Sequence, residues 1–230
     1  MTSATEESGI PDVTVTLVLE WIAGLLVAPP TGNQIARLRS PEGCAVLGAI
    51  AAEWSSHAAM LQIRRALDPC KPADTVAADL SVSYTRLFEG VCGNPAVSLY
   101  ENTYAVADCE VPVQPRLYGR AAGEMDALLR QFRMGLGTTR EASDHISIEL
   151  ALLAALLRKG HLTGEGLMRA RLAGWMPALI DECIALDPDG FYGGLARLLG
   201  NLNLLEAPGP DGQPHLVSVI DGQDGSHHVE

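Results

Sequence analysis

Apolar positions along the chain recur at three- and four-residue spacing, in blocks separated by proline and glycine. Val13 to Val27 is the first block; it predicts a helix closed by Pro29-Pro30-Thr31-Gly32. Gly43 to Leu67 predicts a second helix, stopped by Asp68-Pro69. Ala73 to Glu89 predicts a third, because Val76, Leu80, Tyr84, Leu87 and Phe88 fall at i, i+4, i+8, i+11 and i+12 on one face. Residues 90–116 then break the pattern with Gly90, Gly93, Pro95, Pro112 and Pro115. They read as a long loop with one short helix near Asn102–Ala107, and a loop this long in a compact domain is usually functional or a linker.

The second half repeats the theme. Leu117 to Met134 is amphipathic, with Ala121, Met125, Leu128, Leu129 and Phe132 on one side. Thr138 followed by Glu141 fits a capping box that opens the next helix, which runs to Arg158-Lys159-Gly160. From Ile146 to Leu157 that helix is apolar nearly all round, which predicts a central position. Leu167 to Leu186 reads as helical with a break near Pro177, and Phe191 to Leu205 as the last helix. Residues 1–10 and the Pro/Gly-rich, acidic tail 207–230, which has no Lys or Arg, are expected to be mostly disordered, apart from an extended His215–Ile220. The pattern predicts an all-α chain, and 230 residues suffice for one well-buried domain or two closely packed halves.

Charge narrows the partners. The 28 acidic residues outnumber the 16 basic ones, and Lys71 and Lys159 are the two lysines. The deficit of cations argues against nucleic acid or an anionic membrane and favours a basic partner, although net acidity also serves solubility alone. The apolar block Val13–Val27 is interrupted by Glu20 and is too short to span a bilayer, so no membrane insertion is expected. Met1–Ile10 carries Glu6 and Glu7 and no base, unlike a secretory signal. Cys44, Cys70, Cys92, Cys109 and Cys183 are odd in number and widely spaced, which fits reduced thiols in the cytoplasm rather than a disulfide framework.

Two stretches carry candidate chemistry. Residues 84–104 hold four of the eleven aromatics: Tyr84, Phe88, Tyr100 and Tyr104. These suit an apolar cleft, while Leu80, Tyr84, Leu87 and Phe88 equally suit the core. In the second stretch Glu141, His145 and Glu149 are spaced i, i+4, i+8, which puts acid, imidazole and acid on one face if the segment is helical, with Asp144 beside them. Carboxylates so placed suit a guanidinium, which they grip by charge-assisted, bidentate bonds. Acids also favour a helix first turn for electrostatic reasons, but Glu149 lies in an apolar helix and needs a partner. A helical metal-dependent enzyme using Asp144, His145 and Glu149 is a competing reading, weakened because no second His stands at i+3 or i+4 from His145. A generic helical scaffold is the third. No cofactor motif is legible.

The residues together resemble the TorD/DmsD/NarJ family of redox-enzyme maturation chaperones, nearest its TorD/DmsD branch. The first family pattern is met by Tyr84, Leu87, Phe88, Gly90, Tyr100, Glu101 and Tyr104. The second is met by Asp144, His145, Glu149 and Leu150, and a weaker third by Leu172, Trp175, Phe191 and Tyr192. The resemblance spans roughly residues 40–205. It implies an all-α bundle in two packed halves, about 11–107 and 117–206, joined by a hinge at 108–116. It implies a cytoplasmic, non-enzymatic chaperone that binds the twin-arginine leader of a molybdopterin-containing oxidoreductase of the dimethyl-sulfoxide or trimethylamine-oxide reductase kind, and assists cofactor insertion before export. Asp144, Glu149 and Glu101 would then meet the arginines and His145 would orient a carboxylate. Tyr84, Leu87, Phe88, Tyr100 and Tyr104 would pack the apolar segment. Some members bind guanine nucleotide weakly or swap domains, so a monomer and a swapped dimer both stay open.

Overall fold

The computed structural model describes residues 12–90, 93–104, 119–135, 141–202 and 204. The proposed hinge 108–116 and tail 207–230 lie outside the described residues. Among those described the chain is all-α, as its patterning predicts. In order come α1 (Asp12–Val27), α2 (Gly32–Arg39), α3 (Pro41–Glu53), α4 (His57–Ala66), α5 (Ala73–Tyr84), α6 (Glu101–Tyr104) and α7 (Arg120–Gln131). They are followed by α8 (Ile146–Arg158), α9 (Leu162–Ala173), α10 (Met176–Leu186) and α11 (Phe191–Asn201).

Local chemistry accounts for most boundaries. Thr31, read from sequence as part of a turn, opens α2 instead: Gln34 N–H donates to Thr31 Oγ1 and Thr31 N–H donates to Gln34 Oε1 (2.7 Å), a reciprocal capping box. Ser40 then caps α3 with Pro41 in its first turn. The single helix expected over Gly43–Leu67 is divided at Trp54–Ser56. There Ser55 takes a left-handed φ of 49°, and Ser56 donates its hydroxyl to Trp54 O (3.0 Å), a local bond that competes with the helical ladder. α9 begins earlier than expected because His161 caps it, Nδ1 accepting from Gly164 N–H at 3.1 Å. The break expected near Pro177 falls between α9 and α10, and the proline sits in the first turn of α10, where its missing N–H is tolerated.

One hydrophobic core serves the described chain, and both sequence halves build it. α1 lies along α8, and α11 packs between α4 and α10. Leu150, Leu152, Leu153 and Ala154 of α8 are fully buried, as expected for a helix apolar nearly all round. Burying each leucine contributes about 1.5–3 kcal/mol. α11 approaches its neighbours closely because Gly193 has no side chain: a Cβ there would stand 1.9 Å from Asp187 O.

Candidate functional site

The site begins where α5 tightens. Thr85–Glu89 continues α5 as a π-turn, and Gly90 ends it with φ 66°, where a Cβ would also strike Gly93 O at 2.5 Å. The chain turns back so that Val97 N–H donates to Leu87 O (2.8 Å). It then runs extended into Leu99-Tyr100. There it meets the second stretch: Tyr100 and His145 form an antiparallel bridge, flanked by Ile146 N–H to Leu99 O (2.8 Å) and Glu101 N–H to Asp144 O (3.0 Å).

This pairing corrects the helical reading of Glu141–Glu149. His145 is extended (φ −75°, ψ 134°) and caps α8, Nδ1 accepting from Ser147 N–H at 3.2 Å. α8 starts only at Ile146, so Glu141 and His145 precede the helix and do not share a helical face with Glu149. Backbone pairing with Tyr100 outweighs local helix preference. Thr138, the expected cap, lies outside the described residues.

The bridge has two sides. On one, a cavity of about 480 Å³ opens between Tyr84, Phe88, Glu89, Tyr100, Glu141 and His145, so side chains of both stretches face one space. Tyr84 and Phe88 are largely buried and form its floor. The Tyr84 hydroxyl donates to the carbonyls of Leu26 (3.1 Å) and Val27 (3.0 Å), and its ring packs edge-on to Phe88 at 5.2 Å. Leu87 is 1% exposed and belongs to the core. Tyr100 donates its hydroxyl to Glu141 and packs edge-on to the His145 ring at 5.0 Å. Burial, followed by that bond and the Glu141 charge, pushes the Tyr100 phenol well above its ordinary value. Burial pushes His145 down to about 4, against the pull of Glu141, so its ring is neutral near pH 7. Because Nδ1 accepts a backbone N–H, the remaining proton is assigned to Nε2.

On the other side lies a buried charge cluster. Glu149 has no exposure and Asp144 is 1% exposed. Arg171 of α9 reaches into the cluster. It donates to Glu101, to Glu124 (3.2 Å) and to Ala121 O (2.8 Å), and its Nε lies 3.5 Å from Glu149 Oε1. Trp175 Nε1–H donates to the other Glu149 oxygen (3.2 Å), and Tyr104 stacks on the Trp175 ring at 5.6 Å. Tyr104 donates its hydroxyl to Glu182 (2.7 Å). Burial holds Glu149 well above the usual carboxylate range, with Glu101 adding to the rise and Arg171 opposing it. Glu101 is raised by burial, with Arg171 drawing it back. Asp144 is also raised by burial; its Oδ2 accepts from Asn102 N–H (3.3 Å), while Oδ1 has no hydrogen-bond partner among the described residues.

The nine residues singled out from sequence therefore divide. Tyr84, Phe88, Tyr100 and His145 line the cavity, Glu101, Tyr104, Asp144 and Glu149 stand behind it, and Leu87 is in the core. Sequence reasoning missed Glu89, Glu141's bond to Tyr100, and the Arg171–Trp175 pair. The available signal was the carboxylate of Glu149 in an apolar helix, which demands a partner without naming it. Among the described residues no group of three or more His, Cys, Asp or Glu side chains is placed to hold a metal, so Asp144, His145 and Glu149 do not form a metal centre. Nor is any helix among them long and apolar enough to cross a membrane.

The described residues define an all-helical protein with an acidic, aromatic cavity at a bridge between two motifs, and comparison with known proteins makes its class specific. The family described as nitrate reductase delta subunit matches residues 49–183. The chain belongs to this family, the TorD/DmsD/NarJ group. It is 27% identical over 189 residues to the chaperone protein TorD of Aeromonas salmonicida, covering 81% of this chain and 86% of that protein. It is 23% identical over 194 residues to the chaperone protein TorD of Photobacterium profundum, covering 78% and 86%. A third chaperone protein TorD, from Shewanella loihica, is 31% identical over 122 residues, 52% of this chain and 57% of that protein. These relatives are named as chaperones, not as enzymes.

Proposed function

We propose that this chain is a redox-enzyme maturation chaperone that binds the twin-arginine leader of a molybdopterin-containing oxidoreductase in the cytoplasm, and assists its cofactor insertion before export. The observation that supports this most is the single cavity built jointly by the two family stretches, with aromatic floor and acidic rim. Such a leader carries two guanidinium groups followed by an apolar segment. Glu89 and Glu141 at the rim suit the guanidiniums, and Tyr84, Phe88 and Tyr100 suit the apolar part. The net charge of −12 draws a basic peptide in.

The buried residues act from behind. Glu101, Asp144 and Glu149 form the base of the wall beneath the rim, and Arg171 ties Glu101 and Glu149 together. His145 orients the wall through Ser147 and Tyr100. Leu87 packs in the core behind the floor, and Tyr104 stacks on Trp175 beside the charge cluster. The client is of the dimethyl-sulfoxide or trimethylamine-oxide reductase kind. Calorimetric titration with a synthetic leader tests the reading. The wild-type chain should bind the leader and lose about tenfold or more when the arginine pair is replaced by alanines, and Asp144→Ala should weaken binding while leaving the helical circular dichroism intact. Equal affinity for both peptides would overturn it.

A further inference from the structure

The acidic cavity has an apolar neighbour. A second cavity of about 540 Å³ adjoins it between α1, α7 and α8, and Val27 lines both. The two also touch through His145, which lines the first and bonds to Ser147, which lines the second (2.6 Å). The second cavity is apolar: Gly24, Val27, Met134, Ile148 and Ala151 are among its walls. Its charge lies at the far end, where Glu20 is neutralised by Arg158. The combined trough is therefore acidic at one end, around Glu89 and Glu141, and apolar along the rest.

Resting on the leader-binding function proposed above, we infer that this second cavity is the subsite for the continuation of the leader's apolar segment beyond Tyr84, Phe88 and Tyr100, and that it fixes the direction in which the leader lies. With the guanidiniums at Glu89 and Glu141, the segment passes over Val27 and runs toward Glu20, antiparallel to α1 and parallel to α8. Val27 to Glu20 is seven residues of α1, about 10 Å, the length of two helical turns of a guest. A guest helix presenting apolar residues at i, i+3 or i+4, and i+7 fills such a trough. Small residues make the room. Gly24 stands in the interior of a 16-residue helix, where glycine is unfavourable, and a Cβ added to it would meet nothing within 4 Å. Ala151 is exposed across from it on α8. The fold itself does not require either to be small.

The open space at Gly24 also makes the test clean, because Gly24→Gln introduces a good helix former without a clash. Three leader peptides are titrated by calorimetry: the complete sequence, one with the arginine pair changed to alanine, and one with the apolar residues of the first two turns changed to glutamine. Gly24→Gln and, separately, Ala151→Gln should lower affinity for the complete peptide about tenfold, the scale of one leucine-sized contact. They should change affinity for the glutamine peptide less than about twofold and leave discrimination against the alanine peptide intact. Binding by both variants at wild-type affinity, or an equal loss for complete and glutamine peptides, would overturn the subsite. If wild-type protein fails to discriminate arginine from alanine, the leader reading itself falls, and the subsite with it.

Discussion

The carboxylates of Glu141 and Glu149 are eight residues apart in sequence, on the two sides of the Tyr100–His145 bridge, yet their surroundings are opposite. Glu141 sits half-buried at the rim of an open cavity, bonded to a tyrosine hydroxyl. Glu149 sits in the core beside Arg171 and Trp175, and burial holds its carboxyl well above the usual carboxylate range. The same chemical group is a charge suited to recognition where water reaches it and, where water does not, an acceptor for Trp175 whose charged form burial disfavours. Sequence spacing alone places both on one surface. Burial separates them.

Four changes break or sharpen that contrast. The largest effect is expected from Arg171→Ala, which strips the cation from buried carboxylates and should lower stability by about 3–5 kcal/mol in chemical denaturation. Adding Glu149→Gln to it should recover part of the loss. Next, Trp175→Phe keeps a ring against Tyr104 but removes the donor to Glu149, and should lower stability by about 1–3 kcal/mol. Glu141→Gln should act in the other direction, reducing leader affinity about fivefold to tenfold while stability stays within about 0.5 kcal/mol of wild type. Glu149→Gln alone keeps the volume and the acceptor for Trp175 while removing a charge that burial disfavours, and should have the smallest effect on either stability or affinity.

The two sides also differ in how pH acts on them. Glu149 has a pKa raised above the unfolded value of 4.5, so its contribution is complete below that value and is lost as pH rises through the folded pKa. His145 has a pKa lowered from 6.5 to about 4, so its contribution is complete above 6.5 and is lost as pH falls toward 4. Denaturation profiles against pH should therefore decline at both ends. Glu149→Gln should flatten the alkaline decline and His145→Asn the acid one; the reverse assignment would contradict these electrostatics.

Much of the helical fold was legible because helices announce themselves locally. The α8 core and the stripe Val76–Phe88 follow from apolar spacing alone. Even there, α2 was hidden by a capping box that reads as a turn, and the α3–α4 break by the left-handed backbone of Ser55 and the local bond of Ser56. The site was less legible. Its residue types were visible in Tyr84, Tyr100, Asp144 and His145, but its geometry depends on backbone pairing between residues 45 positions apart. That pairing converts an expected helix start into an extended cap. Arg171 was unreadable for a related reason: a lone arginine on α9 gives no sign of the acids it will meet on other helices.

The central claim, that the rim acid recognises a leader arginine, is tested most directly by a double-mutant cycle read by calorimetry. Wild type and Glu141→Gln are each titrated with the complete leader and with the peptide whose arginine pair is alanine. Coupling is expected: Glu141→Gln weakens binding of the arginine peptide about fivefold to tenfold and changes binding of the alanine peptide less than about twofold. Equal losses for both peptides, or no loss for either, would contradict it.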